Sequence, residues 1–168
     1  MSSDFERLSK KQKRIAVAKD VLRWLKLGRM TAKRRTYLRA NTLTPEGKIN
    51  GYNCQACALG GLFACAVEQK KGFSLLGLSN GYGNDYGTQD QMHKALSGFF
   101  TRDELMNIEN AFEGRTSDGW LVNGQGDYDD EDNFSKAAAT FNAGVRSAKK
   151  RMQRIMRNIV RNNGRFVP

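Results

Sequence analysis

The chain has 168 residues, with 28 Lys+Arg against 17 Asp+Glu for a net charge of +11, one His, three Cys and two Pro. That length suits a single domain able to bury roughly 70% of its unfolded surface, and an apolar fraction of 39% with 10% aromatics excludes full disorder. No run approaches the ~18 apolar residues of a membrane span, the charged start MSSDFERLSKKQKR is not a secretory signal, and an odd cysteine count argues against a disulfide framework and for a reducing, cytoplasmic compartment.

The charge is uneven. Residues 1–40 carry a net +10, residues 41–134 a net −8, and residues 135–168 a net +9 with no acid at all. Two basic ends around an acidic middle suggest a partner with a phosphate or carboxylate surface. The competing reading is that the basic ends fold back on the acidic middle, which is charge balance within one domain.

Residues 9–27 predict a helix. Ser9 with Gln12 forms a capping-box pattern, Gly28 is a stop, and Ile15, Ala18, Val21, Leu22 and Leu25 fall on one face. The remaining surface of this helix carries Lys11, Arg14, Lys19, Arg23 and Lys26. Residues 29–52 have no clear period, and the turn signal Thr44-Pro45-Glu46-Gly47 allows at most a minor β-hairpin near residues 36–52. Residues 54–70, CQACALGGLFACAVEQK, are apolar nearly all round and predict a buried helix. Gly60-Gly61 costs that helix about 1 kcal/mol each against Ala, which points to close backbone approach by neighbouring elements.

A short apolar run at 73–78 leads into the loop SNGYGNDYG. Thr88 with Gln91, and Thr101 with Glu104, each open a helix, the second carrying Leu105, Ile108, Ala111 and Phe112 to a stop at Gly114. Residues 115–133 read as an exposed polar loop around Trp120 and Tyr128. From Phe134 to Ile159 an apolar seam at heptad spacing predicts one long helix or two collinear ones, with Asn142 and Gly144 as the place for a kink. The seam could pack within the domain or across a dimer. The expected fold is therefore mainly α: a single helical bundle of five or six helices over 1–168, with a flexible N-terminus at about 1–8 and an exposed loop at about 115–133.

Two basic constellations are candidate contacts for nucleic acid or an acidic partner. Arg146, Lys150, Arg154, Arg157 and Arg161 recur at helical spacing away from the apolar seam, flanked by Lys149 and Arg151. Lys33, Arg34, Arg35, Tyr37 and Arg39 interleave cations with an aromatic ring, a pattern suited to stacking and phosphate contact. The bland readings are a solvated helix face and a flexible basic loop.

No catalytic residue, metal site or cofactor is assigned. Cys54, Cys57, Cys65 and His93 supply four nominal zinc ligands but not the two close pairs of a structural site. A Cys54/Cys57–His93 nucleophilic centre needs a thiolate favoured at a helix N-terminus, and the simpler reading is small thiols packing a tight helix. Gly81, Gly83 and Gly87 match neither a dinucleotide fingerprint nor a P-loop, and the acidic run Asp127–Asp132 lacks the Gly and Glu of a calcium loop.

Three segments taken together resemble a family of small, uncharacterised bacteriophage proteins. They are CALGGL at 57–62, FFTRDEL with IENAFE over 99–113, and IMRNIV with NGRFVP over 155–168. The family offers no catalytic residues to carry over. The resemblance implies a protein acting in the cytoplasm of a bacterial host, where small phage accessory proteins often inhibit host factors, including defence complexes such as CRISPR effectors. The expected function is a non-enzymatic accessory protein docking through basic helical faces onto nucleic acid or a host nucleoprotein machine. The alternatives are a protein-only inhibitor of a host factor acting through the 115–133 surface and a Cys–His enzyme.

Overall fold

The architecture is described from a computed structural model, for residues 2–40, 44–46, 49, 54–69, 86–114 and 131–168. Among these, seven helices and a small sheet follow in the order α1 (Ser2–Arg7), α2 (Lys10–Leu27), β1 (Met30–Ala32), β2 (Leu38–Ala40), β3 (Cys54–Ala56), α3 (Ala58–Gln69), α4 (Tyr86–Leu96), α5 (Arg102–Glu113), α6 (Glu131–Thr140) and α7 (Ala148–Arg161). The fold is mainly helical, with more helices than the five or six expected. The short apolar run at 73–78, most of the Gly-rich loop, and Trp120, Asp127 and Tyr128 lie outside the described residues.

Two of the three predicted helix starts hold, while α4 begins at Tyr86, ahead of Thr88, which therefore lies inside the helix. Ser9 and Gln12 exchange side-chain and backbone bonds at the start of α2, and Thr101 and Glu104 do the same for α5. Gly28 and Gly114 close both helices in the left-handed conformation. The buried face of α2 is rotated from the one predicted: Val17, Ala18, Val21, Trp24 and Leu25 are buried, while Ile15 and Leu22 are only half-buried. Trp24, counted on neither face by the 3.6-residue pattern, has the largest apolar surface to hide and draws the helix round to it. The stretch before α2, expected to be flexible, forms α1. Its Phe5 is buried edge-on against Phe99 at 6.2 Å between ring centroids.

The predicted helix at 54–70 begins later. Cys54–Ala56 is instead the central strand of a three-stranded sheet, parallel to β1 and antiparallel to β2. Burial in a sheet and burial in a helix read alike over so short an apolar run. What decides is the backbone pairing on both sides: Met30 opposite Cys54 on one flank, and Ala40 opposite Cys54 on the other. The minor hairpin is thus part of a mixed sheet. α3 then runs through the core with every residue from Ala58 to Val67 buried. Gly60 explains the small-residue composition. A Cβ there would stand 1.5 Å from the Tyr37 carbonyl oxygen, so α3 lies directly against the chain entering β2.

The long C-terminal seam is broken. α6 packs on α5, a four-residue turn over 141–144 follows, and α7 packs on α2 and α5. Asn142 ends the first helix by turning inward, where its fully buried amide donates to Ala111 O (3.0 Å) and Arg151 O (3.4 Å). The seam residues Ala138, Met152, Ile155 and Ile159 are buried within this one chain. α7 runs antiparallel beside α2: Gly164, just past α7, abuts the Lys11 backbone at the start of α2, while Met152 near the start of α7 meets Gly61 together with Met30, just past α2. Both helices lie over β1; α2 also packs on α3, which α7 meets at Gly61 through Met152. Among the described residues no helix is long and apolar enough to cross a membrane.

Candidate nucleic-acid interface

α7 separates its chemistry by face. Met152, Ile155, Met156 and Ile159, at helical spacing, are buried. Opposite them Lys150, Arg154, Arg157 and Arg161 are all exposed, and Lys149 is exposed at the flank in the first turn. Ser147 caps the helix, its hydroxyl accepting from Lys150 N at 3.2 Å. Arg146 is exposed too, but stands before this cap, so it extends the cationic row from the loop. Among the described residues none of these six cations forms an ion pair. The first turn holds no acid, so Lys149 and Lys150 add their charge to the positive end of the helix dipole, an arrangement that repels itself until an anion arrives.

Arg154 is held in place. Its guanidinium lies over the Phe141 ring at 5.3 Å, and Phe141 in turn meets Phe166 edge-on at 5.1 Å. The tail carrying Phe166 is clamped to α7 by Asn158, whose side chain donates to Val167 O (2.6 Å) and accepts from Val167 N (2.8 Å).

Arg151, expected to flank the row, is not on it. It is buried, donating through Nε to Val145 O (2.6 Å) and through Nη1 to Phe112 O (2.7 Å). Burial, with the like charge of Arg34, lowers its pKa from the ordinary value, and Glu113 opposes that shift. Neighbouring Lys149, Lys150 and Arg151 look alike as a run of cations. The carbonyls at the end of α5 tell them apart, because they need donors and Arg151 supplies them.

The second basic cluster is tied to α5 through Arg34, the Arg35 backbone and Tyr37, while Lys33, Arg34, Arg35 and Arg39 remain exposed. Arg34 donates to Glu113 O and pairs with its carboxylate (Nε to Oε2, 3.6 Å), the Arg35 amide donates to Glu113 Oε1 (2.9 Å), and Tyr37 donates its hydroxyl to Glu109 Oε1 (2.9 Å). Tyr37 is half-buried, with its hydroxyl engaged by Glu109. Lys33 is exposed and reaches Gln55 (3.2 Å), and Arg39 is exposed on the edge strand β2. Arg14 likewise pairs with Glu104 at 2.7 Å. The residues that sequence reasoning left out are thus the anions: Glu104, Glu109 and Glu113 on α5 draw in Arg14, Tyr37 and Arg34. Their own spacing, 104, 109 and 113 along one helix, was the available signal.

The three thiols are all buried. Burial pushes Cys54 up to about 12, Arg29 offsetting part of the effect. Burial first, then Glu109, raises Cys57, whose sulfur accepts from Gly60 N (3.4 Å) in the first turn of α3. Cys65 is raised by burial and then by Asp20. His93 on α4 is buried, and neither ring nitrogen is bonded among the described residues; its pKa is lowered from 6.5 by burial and by Arg102 against the pull of Asp90. No group of three His, Cys, Asp or Glu side chains among the described residues could hold a metal ion. Comparison of the chain with family models, curated proteins and solved structures finds no match.

Proposed function

We propose that this chain is a non-enzymatic binding protein that docks on nucleic acid, free or within a nucleoprotein machine, through Arg146, Lys150, Arg154, Arg157 and Arg161. One observation carries the reading: these exposed cations form a row without ion pairs among the described residues, whereas Arg14 and Arg151 are drawn into the fold and Arg34, though exposed, pairs with Glu113. The division separates the part of the positive charge that answers the acidic middle from the part left for a partner. On this reading the resemblance to small bacteriophage proteins gives a bacterial host as the setting, and interference with a host nucleoprotein complex as the role served.

The test is fluorescence anisotropy with a labelled oligonucleotide across a salt series. Five neutralised phosphates give a slope of about −4.5 in log K against log salt, or roughly 500-fold weaker binding at 200 than at 50 mM. Arg154→Glu with Arg157→Glu abolishes binding while circular dichroism stays that of the parent. A flat salt response, or full affinity in the double variant, refutes the assignment of this face.

A further inference from the structure

We infer that the partner is a double-stranded nucleic acid, gripped by two rows of cations, one on α7 and one on α2, each row facing one phosphate strand. This rests on the nucleic-acid reading above and extends it to a surface that reading did not use.

On α2, Lys19, Arg23 and Lys26 are exposed and spaced four and three apart, which sets them in one line along the helix. On α7, Lys150, Arg154, Arg157 and Arg161 are exposed and spaced four, three and four apart. The two helices are antiparallel neighbours packed on each other, both rest on β1, and Gly61 of α3 lies against both Met30, just past the end of α2, and Met152 at the start of α7. Stripes opposite their buried faces point away from this shared support, so the two cationic rows share one side of the molecule. The one acid on α2 or α7 is Asp20. It accepts from Gln69 of α3 and pairs with Arg23 (2.9 Å), which leaves Lys19 and Lys26 without an ion pair among the described residues.

The dimensions suit a duplex. The 14 residues of α7 span about 21 Å at 1.5 Å each. Over that length one strand of a duplex carries about six phosphates. A single strand offers only one row of phosphates and leaves the second row of cations unanswered. Complementarity therefore selects two strands held at a fixed separation.

The experiment measures log K against log salt for a duplex of about 20 base pairs and for one of its single strands. Three proteins are compared: the parent, Lys19→Gln with Lys26→Gln, and Arg154→Gln with Arg157→Gln. Each of the substituted residues is exposed, and an unchanged urea midpoint verifies the fold. The expected result is tighter binding to the duplex and a duplex slope shallower by about two in each double variant. If the α7 pair changes the slope but the α2 pair does not, or if the single strand binds as tightly as the duplex, the two-row inference falls and the single-face reading stands. If the parent binds neither oligonucleotide at low salt, both readings fall.

Discussion

Replacing Gly60 by Ala sets helix propensity against packing, and the geometry says which prevails. In an unconstrained helix the change would stabilise by about 1 kcal/mol. Here the new Cβ stands 1.5 Å from the Tyr37 carbonyl oxygen and 2.5 Å from its carbon, where ordinary contact begins at 3.4 Å. The obstruction is backbone, which cannot swing aside as a side chain can, so α3 and the chain at Tyr37 must separate by about 2 Å. That movement stretches the bonds from Cys57 N to Thr36 O (2.7 Å) and from Tyr37 to Glu109 (2.9 Å). Two lost hydrogen bonds at about 1 kcal/mol each and about 2 kcal/mol of overpacking, less the propensity gain, leave a loss of about 3 kcal/mol. Gly61→Ala is the internal control. Its Cβ meets Met30 Sδ at 3.2 Å and Met152 Sδ at 3.6 Å, both on flexible side chains, so stability stays within about 1 kcal/mol of the parent. Urea unfolding followed by circular dichroism, with equal m values, measures both. A Gly60→Ala protein as stable as the parent, or a Gly61→Ala protein equally damaged, overturns the argument.

Arg151→Lys removes the fork that reaches Phe112 O and Val145 O together, and chemical denaturation should show a loss of about 3 kcal/mol; an unchanged midpoint would mean that water replaces the guanidinium without cost. His93 makes stability pH-dependent. Because its folded pKa lies below 6.5, unfolding free energy is level above that pH and declines on acidification, as the unfolded chain takes up a proton the folded chain refuses, until the folded pKa is passed. His93→Gln flattens this decline, and a decline of equal steepness in the variant assigns it elsewhere. All three cysteines resist iodoacetamide at pH 8 until denaturant is added, since buried thiols held far above their ordinary range present almost no thiolate; rapid labelling of the native protein would reopen a nucleophilic role.

Local chemistry was the most legible part of the sequence. The capping boxes at Ser9 and Thr101 act over three residues and depend on little beyond them. The cationic row of α7 was legible for a similar reason, since its helix has a strong apolar face of its own. What depends on distant partners was hidden. Cys54 to Ala56 becomes a strand only because two other strands flank it. The rotation of α2 is set by what Trp24 packs against, and the burial of Arg151 by the carbonyls at the end of α5. Nothing in the basic cluster at 33–39 reveals that Glu109 and Glu113 stand opposite and engage Tyr37 and Arg34. Clusters of like charge read from sequence describe what a segment carries, and the opposing segment decides what remains free.

The pairing of α2 with α7 bears on how the chain acquires its structure. α2 is synthesised early, and the helix that covers its flank follows only after well over a hundred further residues. Until then Val21 and Leu25 have no complete core to enter, and the sheet beside them is waiting for its central strand, β3. Contacts of such long sequence separation slow folding and leave apolar surface open meanwhile. During synthesis the emerging chain thus carries open apolar surface beside basic segments that the anions of α5 have not yet met.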